Sequence, residues 1–220
     1  MGHYHAAVNP TTLVFGGSFD PPHAAHVLQP KSVADAIGAD RVLYIPAAKA
    51  PHKLGQTQTP APHRLAMLRL ALEYEPWAEI STLELDRAQA NPGVPSYTVD
   101  TLIALKAQFP ERKLRLLIGS DQLMIFHQWK DWQTVVKLAE PAVMVRAPHA
   151  TAHDVLAQLP TELNAAEWAP RLVDPMDVPV MNMSSTEIRR QISKGIKNGK
   201  SIPWVGSGVA AYIQEHGLYR

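Results

Sequence analysis

Two histidines three residues apart, His23 and His26, follow a glycine pair and a proline pair in the run Phe15-Gly16-Gly17-Ser18-Phe19-Asp20-Pro21-Pro22-His23-Ala24-Ala25-His26. Residues at i and i+3 share a helix face, so both imidazoles would point at one place. The glycines allow positive φ and a close approach of backbone to a bulky group. The prolines fix φ and suit a helix start, where a missing N–H costs nothing. The N–H groups and positive dipole end of such a helix form an anion site, with phosphate as the natural guest. Three other readings stand beside this one, the first being that the histidines are ordinary surface residues among the ten in the chain. Gly-Gly after a strand is also an ordinary tight turn. Two histidines can hold a metal, but no third ligand stands nearby and the spacing is not that of His-Glu-x-x-His.

Other stretches carry polar groups at places where chemistry is done. The proline-punctuated loop 46–62 holds His52 and Lys53, and loops at strand ends of a parallel sheet line the ligand crevice. Gly119-Ser120-Asp121 follows an apolar run; an acid there can accept from ribose hydroxyls or cap the helix from Gln122. Ser96 or Thr98 would cap a helix in Ser96-Tyr97-Thr98-Val99-Asp100-Thr101-Leu102. Ser184-Ser185-Thr186-Glu187 reads as a capping box and makes a second helix start bearing hydroxyls, with Arg189 in its first turns. Trp129 stands in an aromatic cluster with Phe126 and Trp132.

The elements that must hold these residues follow from periodicity. A strand ending at the glycines, a helix running to Gly38 with Pro30 inside it, and a strand at 41–45 form a βαβ unit, which implies a parallel sheet. Leu65, Leu68 and Leu72 mark a helix over 63–74. Residues 79–85 and 114–118 read as strands, 87–95 as a loop, and 142–146 as a further strand. Residues 151–170 are helical in part, and 203–219 form a closing amphipathic helix. Residues 1–12 read as a flexible tail and 13–220 as one domain. The fold class is α/β, a Rossmann-like parallel sheet with helices on both faces.

Composition narrows the classes. The 220 residues are 46% hydrophobic and 19% charged, with a net charge of +1. That gives no global field for nucleic acid or an anionic membrane. Cysteine is absent, which removes disulfides and thiolate chemistry and fits a cytoplasmic protein. No run approaches the ~18 apolar residues of a membrane span. A homo-oligomer is compatible with all of this.

Gly-Gly-Ser-Phe-Asp-Pro-Pro-His-Ala-Ala-His resembles the G-G-[ST]-F-D-P-x-H-x-G-H signature of the nucleotidylyltransferase superfamily, with Ala25 at the usual glycine. Met183-Ser184-Ser185-Thr186-Glu187-Ile188-Arg189 resembles that superfamily's Ile-Ser-Ser-Thr-x-Ile-Arg, with Met183 for Ile. The Pro-His-Lys of residues 51–53, Leu-Asp-Arg followed by Ser-Tyr-Thr-Val-Asp-Thr-Leu, and Ile118-Gly119-Ser120-Asp121 are similar to the nicotinate-nucleotide adenylyltransferase branch. The loop 88–95 is longer than in that branch.

The resemblance implies a nucleotidylyltransferase-type fold and adenylyl transfer from ATP to nicotinate mononucleotide. It implies His23, His26 and Arg189 as catalytic. Gly16, Gly17, Ser18, Phe19, Ser184, Ser185 and Thr186 would bind ATP. His52, Lys53, Tyr97, Thr98 and Trp129 would bind the mononucleotide, and Asp121 a ribose. Mg²⁺ would arrive with ATP, with no dedicated metal site. Its partners are ATP and nicotinate mononucleotide, with no nucleic acid and no membrane. The alternatives are the amide mononucleotide, a sibling enzyme with another phosphate acceptor, and a nucleotide-sensing protein without turnover.

Overall fold

The computed structural model describes residues 10–48, 58–145, 149, 151–164, 175–176, 183–194, 202 and 204–220. Its sheet runs β1 (Thr11–Gly17), β2 (Arg41–Pro46), β3 (Ala78–Ile80), β4 (Lys113–Gly119), β5 (Ala139–Met144) and β6 (Pro175–Met176). The spatial order is β3-β2-β1-β4-β5-β6, and every pairing is parallel. The order reverses between β1 and β4, a switch point where the chain leaves neighbouring strands toward opposite sides and opens a crevice at their C-terminal ends.

Alternation along each strand builds two apolar layers. Leu13, Phe15, Val42, Tyr44 and Leu117 face one way, against Val33 and Ala34 of α1 (Ala24–Ile37) and Leu68 of α2 (Ala61–Ala71). Val14, Leu43, Ile45, Leu116 and Ile118 face the other, against Leu102 and Leu105 of α4 (Thr98–Gln108) and Val135 of α6 (Trp132–Leu138). Helices therefore cover both faces, as strands apolar on both sides require. A third cluster packs Met67 of α2 against Ile188 of α8 (Ser185–Ser193) and Val209 and Ile213 of α9 (Ser207–Glu215).

Several boundaries differ from the sequence reading. The first strand starts at Thr11, and buried Thr12 accepts hydrogen bonds from Arg41 Nε (3.0 Å) and Arg112 Nε (2.6 Å), so the segment ahead of the sheet is shorter than 1–12. The expected strand over 79–85 ends at Ile80, and α3 (Leu83–Ala90) replaces the rest of it and the start of the 87–95 loop. The strand expected at 142–146 begins at Ala139. In the 151–170 stretch, α7 (Ala152–Ala157) is the helix that forms among the described residues.

Pro30 lies well inside α1, where it cannot donate to the carbonyl four residues back. That carbonyl belongs to His26, and the buried Tyr44 hydroxyl donates to it instead at 2.9 Å. Burial, and then the nearby Glu75 charge, push the Tyr44 phenol far above its ordinary value, so it remains a donor.

Candidate active site

A cavity of about 300 Å³ opens at the switch point. Gly16, Gly17 and Ser18 at the end of β1 form one wall and Ile118 and Gly119 at the end of β4 another, with His26, Thr98, Asp121 and Trp129 around them. A second cavity of about 240 Å³ shares Ser96, Thr98 and Trp129 with the first and adds Tyr97 and Lys130. Residues more than a hundred positions apart in sequence thus meet at one crevice.

The glycines work differently from the sequence reading. Neither takes positive φ; both continue β1, paired with Ile45 and Pro46 of β2. The turn is made by Phe19, at φ 49°. Its ring is 1% exposed and lies under Gly17, where a Cβ would come within 2.9 Å of it. At Gly16 a Cβ would meet nothing within 4 Å, so this backbone edge fronts open space within the cavity wall. Phe19, expected at ATP, is therefore core, with its ring 5.5 Å from Phe15 and 5.2 Å from His26 between centroids.

The helix start also departs from expectation. His23 is the N-cap of α1, so Pro21 and Pro22 precede the helix instead of opening it. The Ala24 N–H donates to the Trp204 carbonyl at 2.8 Å and the His26 N–H to the His23 carbonyl at 2.8 Å, so part of the first turn is already satisfied by protein. The His23 N–H donates to His26 Nδ1 at 3.2 Å. A neutral His26 then carries its proton on Nε2, an assignment that rests on this bond. The two rings lie 3.8 Å apart; His26 reaches the cavity wall and His23, 3% exposed, backs it. Ala25 is buried, so its methyl belongs to packing.

The Ser-Ser-Thr segment reaches the site through the loop before α1. Ser184 caps α8 by accepting from the Glu187 N–H at 3.2 Å. The box expected there is only half formed, because the Glu187 carboxylate is taken by Arg190 (2.7 Å) and Gln191 (2.9 Å). Those donors, Arg190 first, hold the Glu187 carboxyl down to about 2. Ser185 Oγ donates to the Pro21 carbonyl at 2.9 Å, and Arg189 Nη1 to the Asp20 carbonyl at 2.7 Å. Arg189 Nη2 donates to Thr186 Oγ1 at 3.2 Å. Arg189 is thus brought to the loop that precedes His23 and α1.

At the other end, Tyr97, not Ser96 or Thr98, is the N-cap of α4, with no side-chain cap bond. Lys130 Nζ stands 4.5 Å from the Tyr97 ring centroid and 3.2 Å from Asp100 Oδ2. Trp129 packs on Phe126 at 5.0 Å between centroids. Asp121 lies in the first turn of α5 (Ser120–Met124), whose N-cap is Gly119, so it is exposed to the cavity instead of capping. His52 and Lys53 lie outside the described residues.

Two buried charged residues at the site had no clear signal in the sequence. Arg64 of α2 donates from Nε to the Thr59 carbonyl (2.9 Å) and from Nη1 to the Ser18 carbonyl (2.7 Å), tying the segment before α2 to the glycine turn. Burial lowers its pKa, against the opposing pull of Asp20 and then Tyr219. Glu84 of α3 lines the cavity and accepts from Thr101 Oγ1 at 2.9 Å. Burial raises its carboxyl above the ordinary value, against hydrogen bonds from Thr101 and Ser96, the Arg87 charge and a backbone bond from Ala48. Thr82 before acidic residues was a helix-start cue, obscured by the Leu83–Leu85 alternation. Among the described residues no group of three or more His, Asp or Glu is placed to hold a metal, and no helix is long and apolar enough to cross a membrane.

A doubly wound sheet with its crevice between β1 and β4, walled by bare glycine backbone and imidazole, defines a nucleotide-handling class, and the cytidylyltransferase-like family model matches residues 14–191. A relative from Thermus thermophilus named "Probable nicotinate-nucleotide adenylyltransferase" is 38% identical, covering 94% of this chain and 98% of its own. One of the same name from Symbiobacterium thermophilum is 36% identical over 94% and 93% of the two chains. A nicotinic acid mononucleotide adenylyltransferase from Plasmodium falciparum, solved with NaAD, shares the fold at a TM-score of 0.74 and 17% identity, over 96% and 97% of the chains. The chain belongs to the cytidylyltransferase-like family, in its nicotinate-nucleotide adenylyltransferase branch.

Proposed function

We infer that the protein joins ATP and nicotinate mononucleotide to give nicotinate adenine dinucleotide and pyrophosphate. A phosphate oxygen of the mononucleotide attacks the α-phosphorus of ATP, a new P–O bond forms, and the bond to the β-phosphate oxygen breaks. The observation that carries this reading is the cavity in which Gly16, His26, Asp121 and Trp129 converge from separate elements. The nucleophile is a phosphate monoester with a second pKa of ~6, largely dianionic at neutral pH, so no general base is required. Bringing two polyanions into line and meeting the charge on the transferred and leaving groups is the whole task.

We assign residues on that basis. The Gly16-Gly17-Ser18 edge lets the ATP phosphates lie against backbone, with Phe19 supporting it from below. His26, backed by His23, donates to the phosphates where charge builds. Arg189 and the start of α8, with Ser184, Ser185 and Thr186, meet the leaving pyrophosphate. Tyr97, Thr98 and Trp129 hold the pyridine end, Asp121 a ribose, and His52 and Lys53 the mononucleotide phosphate. Mg²⁺ enters bound to ATP, keeping mostly water and phosphate ligands. Both substrates are soluble metabolites, and the corresponding place of action is the cytoplasm; the domain expected over 13–220, which β1 extends back to Thr11, carries the reaction.

The test follows pyrophosphate release with ATP, Mg²⁺ and either nicotinate or nicotinamide mononucleotide. The expected result is turnover with strong preference for the acid. Comparable rates would make the enzyme dual-specific, and no release with either would refute the reading.

A further inference from the structure

Asp20 is held from three directions by parts of the chain that are distant in sequence. Its backbone carbonyl accepts from Arg189 of α8 at 2.7 Å. Its Oδ2 accepts from the Thr59 N–H, ahead of α2, at 3.1 Å. Its Oδ1 accepts from the hydroxyl of Tyr219, the penultimate residue, at 2.6 Å. Arg64 completes the cluster by bonding both Thr59 and Ser18. Asp20 is buried between the Phe19 turn and the N-cap His23, so whatever fixes it fixes both the glycine edge and the start of α1.

We propose that Tyr219 is a positioning residue for adenylyl transfer: its hydroxyl, bonded to the Asp20 carboxylate, pins the phosphate-binding turn to the C-terminal segment and sets where Arg189 stands relative to His26. Tyr219 takes φ 64°, an unfavourable backbone for a bulky residue, and Leu218 beside it packs in the cluster between α2, α8 and α9. That packing holds the ring in place. Burial, then the bond to Asp20, push the phenol far above its ordinary value, so it stays protonated and donating throughout the working range. Thr59 holds the carboxylate's second oxygen and Arg189 the Asp20 carbonyl, so the Tyr219 bond is the contact that joins this turn to the C-terminal segment. Charge-assisted bonds of this kind are short and directional. A misplacement of about 1 Å remote from the chemistry is enough to slow an in-line transfer strongly.

The proposal rests on the reaction assigned above, and its test separates the two. Tyr219→Phe removes one hydroxyl and keeps the ring. In the full-length enzyme, assayed well below its melting temperature, kcat should fall about tenfold with both KM values within about twofold. Arg220→Ala, at the exposed next residue, should leave kcat unchanged. Amide hydrogen exchange across residues 15–25 should be faster in Tyr219→Phe, a readout that needs no turnover. Unchanged kcat, a loss that merely tracks the folded fraction, or unchanged exchange in that segment would overturn the proposal. Loss of turnover in the unmodified protein would count against the reaction alone.

Discussion

Gly16 and Gly17 are neighbours of the same type in one strand, yet a methyl group added to each should have opposite consequences. At Gly17 the new Cβ would lie 2.9 Å from Cζ and 3.0 Å from Cε1 of Phe19, closer than packed carbons approach. That ring cannot retreat, because Phe15, His26 and Tyr44 surround it with centroids at 5.5, 5.2 and 5.8 Å. Overpacking of a rigid core site costs ~1–3 kcal/mol, which for a domain of this size lowers Tm by roughly 2–12 °C. Because the displaced ring carries the turn before His23, activity should fall as well. At Gly16 the added Cβ meets nothing within 4 Å, and the backbone is an ordinary strand. Alanine there loses less chain entropy on folding than glycine, worth ~0.4–1 kcal/mol of added stability. The same methyl occupies the edge assigned to the ATP phosphates, so KM for ATP should rise while Tm holds or climbs. Urea or thermal unfolding paired with pyrophosphate-release kinetics reads both quantities on each variant. A Gly17→Ala protein that melts with the wild type, or a Gly16→Ala protein with unaltered ATP kinetics, would refute the reasoning.

His26→Ala should lower kcat by ~10²–10³, the scale of losing one preorganised donor to a developing charge. A modest Tm loss should accompany it, because His26 Nδ1 also accepts the His23 N–H; wild-type kcat in steady-state assays would remove His26 from the chemistry. Trp129→Ala should act mainly on the mononucleotide, raising its KM by roughly 5- to 150-fold through loss of a stacked ring, with the KM for ATP little changed. Glu84 gives a pH signature. Its native pKa is raised by burial, so above the unfolded value of 4.5 the folded state binds a proton that the unfolded state has lost. Stability linked to this group is therefore full below that value and declines as pH rises through the native one. Glu84→Gln, which cannot ionise, should gain stability relative to wild type as pH rises above 4.5 in urea titrations, and a pH-independent difference would contradict the assignment.

The sheet was legible because its strands are apolar on both sides, and continuous apolar runs separated by amphipathic helices admit few arrangements. The candidate site was legible as contiguous motifs at residues 16–26 and 184–189, which the structure brings together through Ser185 and Arg189. Misreadings arose where one pattern serves two structures. Leu83 and Leu85 alternate like a strand, yet the segment is α3, with Glu84 and Asp86 in the first turn where acids favour a helix start. Gly-Gly suggested a left-handed turn, but packing of an aromatic ring explains Gly17, and the left-handed residue is Phe19. Arg64 sits on a helix marked in the sequence only by its leucines; only the fold shows that Ser18 and Thr59 bring their carbonyls to it. Long-range bonds of that kind leave no periodicity to find.

The Tyr44 bond to the His26 carbonyl limits how this enzyme can change over evolutionary time. The carbonyl needs a donor from outside the helix only because residue 30 is proline. A lineage that first replaces Pro30 gains a second donor for an oxygen with two lone pairs, and the Tyr44 hydroxyl then becomes dispensable. A lineage that first loses the hydroxyl strands a partly buried acceptor one turn into the helix that brings His26 to the cavity wall. The pair can be taken apart in one order far more readily than in the other, so drift at these two positions should have a direction.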